Sequence, residues 1–202
     1  MAKTEILKCS SSHPEPAILE KAAEALKEGK LVAFPTDTVY GLGVNLSNKS
    51  AVERLYKIKS RPASKPLVMQ VSSRESLEGL AADMTKEARS AIERFWPGPL
   101  TIILKDKFGS KTAFRMPDNK IALGILDRCG FPLGVPSANI SGDPAPGDSA
   151  GVMRGLDGLI DMIIDGGRVK LGTESTIVDF TASPPKILRE GAVSREDLQK
   201  YG

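Results

Sequence analysis

Leu31-Val-Ala-Phe-Pro35, followed by Thr36-Asp-Thr-Val-Tyr-Gly-Leu-Gly43, sets the fold class. Its first four residues form an unbroken apolar run stopped by a proline, the pattern of a short buried strand. Thr36 to Gly43 reads as a polar loop in which Gly41 and Gly43 permit tight backbone turns. On the N-terminal side, Ile18, Leu19, Ala22, Ala23 and Leu26 recur at helical spacing in a segment from Ile18 to Lys30, with Gly29 as a stop. On the C-terminal side, Ser50 to Lys59 predicts a second helix with Ser50 as its N-cap. Further out, strands are predicted at 67–71, 100–104, 133–136, 159–164 and 176–180. Helices are predicted at 85–95, capped by Thr85 and broken by Trp96-Pro-Gly-Pro99, at 120–129, ended by Gly130, and at 194–200. Strands alternate irregularly with helices, among 14 Pro and 19 Gly. That favours one α/β domain over residues 1–202 with a mixed sheet and many functional loops. No repeat or linker divides it. Asp143 to Gly151 is the loosest stretch and is too short to be a boundary.

Composition removes several classes. The 202 residues carry 28 Lys and Arg against 25 Asp and Glu, a formal charge of +3; 41% are hydrophobic and 26% charged. These are ordinary globular values, which excludes disorder, collagen and coiled coil as the main class. No stretch approaches the ~18–20 apolar residues of a membrane span. Met1 to Pro16 has no apolar core of a secretory signal. Cys9 and Cys129 form no C-x-x-C and no zinc spacing, so they read as reduced thiols, and a cytoplasmic, membrane-free protein is expected. The single histidine, His13, argues against a histidine triad or a His-rich metal site. There is no P-loop and no G-x-G-x-x-G, so any nucleotide is held by other means.

Charge is unevenly placed. Arg54, Lys57, Lys59, Arg61, Lys65 and Arg74 follow one another without an acid between them. Cations at a helix C-terminus complement its dipole by ~0.3–1 kcal/mol each. That explains one or two of these six; Arg61 and Lys65, beyond the helix on either side of Pro62, fit a phosphate-binding face instead. Ser137, Asn139 and Ser141 alternate directly after an apolar strand. They either bind a ligand at the strand end or satisfy their own turn. Gly172-Thr-Glu-Ser-Thr-Ile-Val-Asp179 is another polar cluster before a strand. Arg115 lies within apolar Ala113-Phe-Arg-Met-Pro117, where a buried guanidinium requires a structural or a substrate carboxylate.

Seven blocks stand in a fixed order: Ala33–Gly43, Lys59-Ser-Arg-Pro-Ala-Ser-Lys-Pro-Leu67, Trp96–Thr101, Phe114–Pro117, Pro136-Ser-Ala-Asn-Ile-Ser-Gly142, Glu174–Asp179 and Leu188-Arg-Glu-Gly191. Together they resemble the YrdC/TsaC family, the threonylcarbamoyl-AMP synthases, over about residues 16 to 193. The chain resembles the short, single-domain form. The resemblance implies a twisted mixed parallel and antiparallel sheet with flanking helices around a concave basic cavity. It implies a nucleotidyltransferase that joins L-threonine, bicarbonate or CO₂ and ATP into threonylcarbamoyl-AMP, releasing pyrophosphate. A partner t6A transferase complex would then modify tRNA.

On the family's motif, Lys59 and Arg61 are the expected catalytic cations. Lys59, Arg61, Lys65, Ser137, Asn139 and Arg189 are the expected ATP contacts, and Thr38, Arg115 and Ser175 the threonine contacts. The resemblance implies Mg²⁺ held mainly by the ATP phosphates rather than by a protein site of its own. Gln70 stands where many members carry histidine, and Lys111 where a small hydroxyl residue is common. The rival readings are an RNA-binding member and a paralogue that binds nucleotide without synthase activity. The low aromatic content, 5%, and the lack of an RNP-like or KH-like motif weigh against RNA stacking.

Overall fold

The computed structural model describes residues 3–82 and 84–199. Met1, Ala2, Asp83 and Lys200 to Gly202, including the last residue of the predicted terminal helix, lie outside the described residues.

In chain order the elements are β1 (Glu5–Lys8), α1 (Pro16–Lys27), β2 (Val32–Pro35), β3 (Tyr40–Asn45), α2 (Lys49–Ile58) and β4 (Val68–Gln70). They continue with α3 (Arg74–Leu80), α4 (Lys86–Phe95), β5 (Leu100–Lys105), β6 (Lys111–Arg115), α5 (Lys120–Cys129) and β7 (Leu133–Gly134). The chain closes with α6 (Ser149–Leu156), β8 (Met162–Asp165), β9 (Thr176–Asp179), β10 (Lys186–Arg189) and α7 (Arg195–Gln199). Ten strands form one sheet in the order β1-β8-β2-β3-β7-β4-β6-β5-β9-β10. Pairs β1–β8, β2–β8, β4–β6 and β5–β9 are parallel and the rest antiparallel, so the sheet is mixed as expected.

Several elements differ from the sequence reading. Thr36 to Gly43 is not one loop. Only residues 36–39 turn, and Tyr40–Asn45 is a strand with all six residues buried, hairpinned onto β2. The glycines serve close packing inside it rather than turning. A Cβ on Gly41 would meet Val135 at 2.4 Å, and one on Gly43 the Phe34 ring at 2.8 Å. The cap of α2 is Asn48, whose side chain accepts from the amide of Ala51 while Ser50 donates to the same oxygen. The loose stretch at 143–151 runs into α6, capped by Asp148. Strands β1, β6 and β10 and helix α3 carry too few apolar residues to register as elements in the sequence reading. Helices α4 and α5 lie where predicted, with Thr85 capping one and left-handed Gly130 (φ 62°) ending the other.

Three apolar clusters fix the sheet. One packs α1 and α5 on β2 and β8, one packs α4 on β5 and β9, and one packs α2 and α6 on β3. The 36–39 turn, the 59–66 and 137–143 loops and residues of β4, β5, β6 and β10 line one hollow; a second lies between α4 and the β9–β10 hairpin.

Candidate functional site: a cationic cleft on the sheet

The first hollow has a volume of about 500 Å³, within the usual range for small-molecule sites. It is lined by five cations (Lys59, Arg61, Lys65, Arg115, Arg189) and two carboxylates (Asp143, Glu174). All nine residues nominated from the sequence reach it. They come from the β2–β3 turn, the end of α2, the loop after it, β6, the loop after β7, the start of β9 and β10.

One end is built by the exit from α2. Ser60 takes a left-handed φ of 47°, the amide of Ser60 donates to Lys57 O at 3.2 Å, and that of Arg61 donates to Tyr56 O at 3.0 Å. This pair of bonds with a left-handed residue between them is the Schellman ending of a helix. It turns the chain sharply and starts the 61–66 loop. Arg61 then holds its own loop, donating through Nε to Lys65 O at 2.9 Å and through Nη2 to Pro66 O at 2.7 Å. Lys65 is exposed on the same loop.

Lys59 is buried, 1% exposed. Its ammonium donates to Ser137 O and Asn139 O, both at 2.5 Å, and to Asn139 Oδ1 at 3.3 Å, while its carbonyl accepts from the Ser141 amide at 2.8 Å. All three N–H groups are therefore engaged by the 137–141 loop. The lysine staples that loop to the end of α2, and a phosphate can claim an ammonium proton only by displacing one of these acceptors, the long Asn139 Oδ1 contact first. Ser137 Oγ donates to Asn139 Oδ1 at 2.6 Å, and Asn139 Nδ2 donates to Asp143 O at 2.6 Å. Ser141 Oγ is buried without a partner.

Burial, reinforced by the nearby Arg61 charge, pushes the Lys59 ammonium down to about 8, with Glu174 opposing. An anion bound here would favour the protonated amine. Binding of a polyphosphate to the free protein should thus weaken as pH rises from 7 through 9.5, the range in which Lys59 loses its proton. Calorimetric titration of ATP across that range checks this, and the slope should flatten in Lys59→Met.

The other end centres on Arg115, 5% exposed at the end of β6. Its guanidinium donates to Thr38 Oγ1 at 2.8 Å, to Gly98 O at 3.1 Å and to Asp37 in a short ion pair. The sequence left the partner of this arginine open between a structural and a substrate carboxylate. Asp37 is the structural one, and sequence reading did not nominate it. Three of the five guanidinium N–H groups are thus engaged, leaving two. Thr38, fully buried, also meets Thr36 Oγ1 at 3.0 Å. Ser175 Oγ meets Thr101 Oγ1 at 2.8 Å, so Thr101 joins the site as a residue the sequence reading passed over.

Arg189 is held on the rim. It donates to Ser175 O at 3.0 and 2.9 Å, and its Nη1 lies 2.9 Å from Glu174 Oε1. Gly191 permits this. A Cβ there would meet Glu174 O at 2.2 Å and Ser175 O at 2.8 Å. Gly191→Ala should therefore push the 189–193 segment off β9, lowering stability by about 1–3 kcal/mol and the melting temperature by several degrees; an unchanged melt would mean the segment is loosely held.

Among the described residues no three His, Cys, Asp or Glu side chains cluster as a metal cage. Asp143 and Glu174 are the carboxylates that reach the cleft, and Glu174 is already paired to Arg189. Such a donor set suits a Mg²⁺ that arrives on phosphate oxygens and keeps several waters.

The fold and cleft define a mixed-sheet α/β protein that carries a cationic cleft of small-molecule size on its sheet. The family model Sua5_yciO_yrdC, described as "Telomere recombination", matches residues 24–191, and the chain belongs to that family. It is 45% identical over 188 residues to the threonylcarbamoyl-AMP synthase of Pyrococcus abyssi, covering 89% of this chain and 55% of that protein. It is 40% identical over 200 residues to the threonylcarbamoyl-AMP synthase of Bacillus subtilis, covering 94% and 57%. The crystal structure of P. abyssi Sua5 complexed with L-threonine matches with a TM-score of 0.93 at 41% identity, over 98% of this chain and 61% of that one. The chain spans a little over half the length of these relatives.

Proposed function

We propose that this chain is an L-threonylcarbamoyladenylate synthase. The observation that carries the reading is the convergence of two chemically distinct ends in one cleft. Arg61, Lys65 and the loop stapled by Lys59 offer cations and donors suited to a triphosphate. Arg115, Thr38 and Ser175 offer a guanidinium and two hydroxyls on a scale suited to a small hydroxy amino acid. The P. abyssi relative that binds L-threonine has the same fold at 41% identity.

In this reading the amine of threonine and bicarbonate give a carbamate and water. A carbamate oxygen then attacks the α-phosphorus of ATP, a new P–O bond forms, and the bond to pyrophosphate breaks. No covalent nucleophile on the protein is needed, because displacement at phosphorus is served mainly by positioning and charge neutralisation. Arg61 and Lys65 neutralise the leaving phosphates, Arg115 holds the amino-acid carboxylate with its two remaining N–H groups, and the 137–141 loop sets the approach. Hydroxyls that pair with the threonine side chain would be left unpaired by valine, which disfavours it. Mg²⁺ travelling with ATP would supply further neutralisation of pyrophosphate.

No helix among the described residues is long and apolar enough to cross a membrane. A cytoplasmic location, transfer of the product to tRNA by a separate transferase complex, and any direct RNA contact belong to the same proposal.

The test is mass spectrometry of the products formed from ATP, L-threonine and ¹³C-bicarbonate. The expected result is a labelled threonylcarbamoyl-AMP with one pyrophosphate per adduct. Pyrophosphate release indifferent to threonine, or no adduct at all, would overturn the assignment.

A further inference from the structure

Phe108 stands at the tip of the β5–β6 hairpin with 95% of its surface exposed, against 36% to 51% for the other exposed large apolar side chains among the described residues. The tip beneath it is firmly held. Asp106 Oδ1 accepts from the amides of Phe108 and Ser110, both at 2.9 Å, and Asp106 Oδ2 accepts from Thr112 Oγ1 at 2.9 Å. The Lys107 amide donates to Leu80 O at 3.1 Å, and Gly109 takes the left-handed φ of 82° that closes the turn. The backbone that carries the ring is thus ordered before anything binds it, which lowers the cost of association.

The second hollow, about 940 Å³, lies on the opposite face of β9 and β10 from the cleft. Val178 and Ile187 line it, whereas their chain neighbours Ile177 and Leu188 line the cleft, as side-chain alternation along a strand requires. Phe180 completes its apolar floor, with Phe95 of α4, Leu198 of α7 and Pro184 around it. Strands β5 and β9 are parallel, with Ile103 beside Asp179, so the turns that follow them leave the sheet at the same end. Knob and hollow therefore stand at one end of the molecule, and the exposure of Phe108 shows that it does not fill the hollow of its own chain.

We infer that the occupant of this hollow is Phe108 of a second copy of the chain, in a two-fold dimer where each tip enters the other copy's hollow. A knob and a hollow at one end form a self-complementary patch, which is what a two-fold contact needs. Both faces of the ring are open. A base stacked on it would leave one face in water, whereas a hollow encloses both. A single Phe among lysines offers a membrane little apolar area. Charge is compatible with self-association. Exposed Lys105 and Lys107 flank the tip, and Glu87 stands at the hollow beside Lys186 and Arg195, the latter 4.0 Å from Glu190. An aromatic side chain buries roughly 150–250 Å². Two rings with their surroundings bring the contact to the lower end of the roughly 1,200–2,000 Å² of stable interfaces, so the dimer is reversible, with dissociation in the micromolar range. It does not depend on the reaction carried out in the cleft.

The test is sedimentation velocity on the full chain from about 1 to about 300 µM, with wild type, Phe108→Ala, and Ala182→Arg, which places a charged side chain on the hollow wall. The expected result is a monomer–dimer equilibrium in wild type, weakened at least tenfold in each variant, with the melting temperature of dilute Phe108→Ala unchanged. A disulfide trap fixes the geometry. Phe108→Cys mixed with Ala182→Cys should cross-link under mild oxidation and neither should do so alone, since Cys9 and Cys129 are buried. A wild-type protein that stays monomeric over this range overturns the inference. So does a dimer indifferent to Phe108→Ala, or a cross-link in Phe108→Cys alone. Growth past the dimer would mean an open head-to-tail contact and overturns the two-fold arrangement. A monomer whose Phe108→Trp emission shifts with oligouridylate or with phosphatidylserine vesicles would assign the tip to nucleic acid or to a membrane instead.

Discussion

Lys59→Met should lower ATP affinity by more than 100-fold and remove about 2–4 kcal/mol of stability. The reason is what the ammonium holds rather than its charge alone. Two carbonyls, Ser137 O and Asn139 O, take hydrogen bonds from Nζ at 2.5 Å in a part-buried setting. Methionine fills much of the same volume but donates nothing, so both acceptors lose their partner. Among the described residues, the hydrogen bond left between the 137–141 loop and the end of α2 would be that of the Ser141 amide to the Lys59 carbonyl, beside the apolar packing of Ala138 and Ile140, and the loop hydroxyls would no longer be held in a fixed array. Arg61 has backbone partners on its own loop and would be largely undisturbed. Arg61→Met should therefore weaken ATP binding with a smaller loss of stability. Urea unfolding and calorimetric ATP titration on both variants separate the two effects. A folded Lys59→Met protein with wild-type ATP affinity would mean that the staple is irrelevant to the nucleotide.

Arg115→Met is the second large effect. The guanidinium and Asp37 form an ion pair with side chains 6% and 2% exposed. Removing one partner of a buried pair strands the other charge, at a cost of about 3–5 kcal/mol. Asp37 is poorly placed to absorb that loss, because its Oδ2 already lacks a partner and its Oδ1 otherwise accepts only from the Asp118 amide. The single variant should unfold at much lower urea. The double variant Asp37→Asn/Arg115→Met carries no stranded charge and should regain most of the stability. Threonine binding should stay at least 100-fold weaker in both, since the carboxylate contact is gone either way. Recovery of threonine affinity in the double variant would reduce Arg115 to a structural cation.

These two residues show which features were legible in the sequence. Lys59 and Arg115 stood out as cations in unusual company, one in an acid-free basic run and one in an apolar segment, and both reach the cleft. Their partners were not legible. Asp37 lies 78 positions from Arg115, and the Lys59 acceptors are main-chain carbonyls of a loop 78 and 80 positions away. Side-chain patterns carry no signal for a carbonyl.

Helices α4 and α5 were legible because capping residue, apolar spacing and terminator agree. Strand β3 was misread because glycines occupy every second position until Asn45, although Tyr40, Leu42 and Val44 keep the period of two. Strands β1 and β10, at the sheet edges, are largely exposed and short of apolar residues. Hydrophobic patterning detects what is buried, and the sheet edges are not.

Triphosphate and amino acid should occupy opposite ends of one cleft in reacting order. A crystal structure with L-threonine and a non-hydrolysable ATP analogue tests it directly. The β- and γ-phosphates should lie against Arg61 and Lys65 and the threonine carboxylate on Arg115, with room for one carboxyl group between the amino nitrogen and the α-phosphorus. Threonine seated away from Arg115, or a triphosphate lying outside the reach of the 61–66 loop, would contradict it.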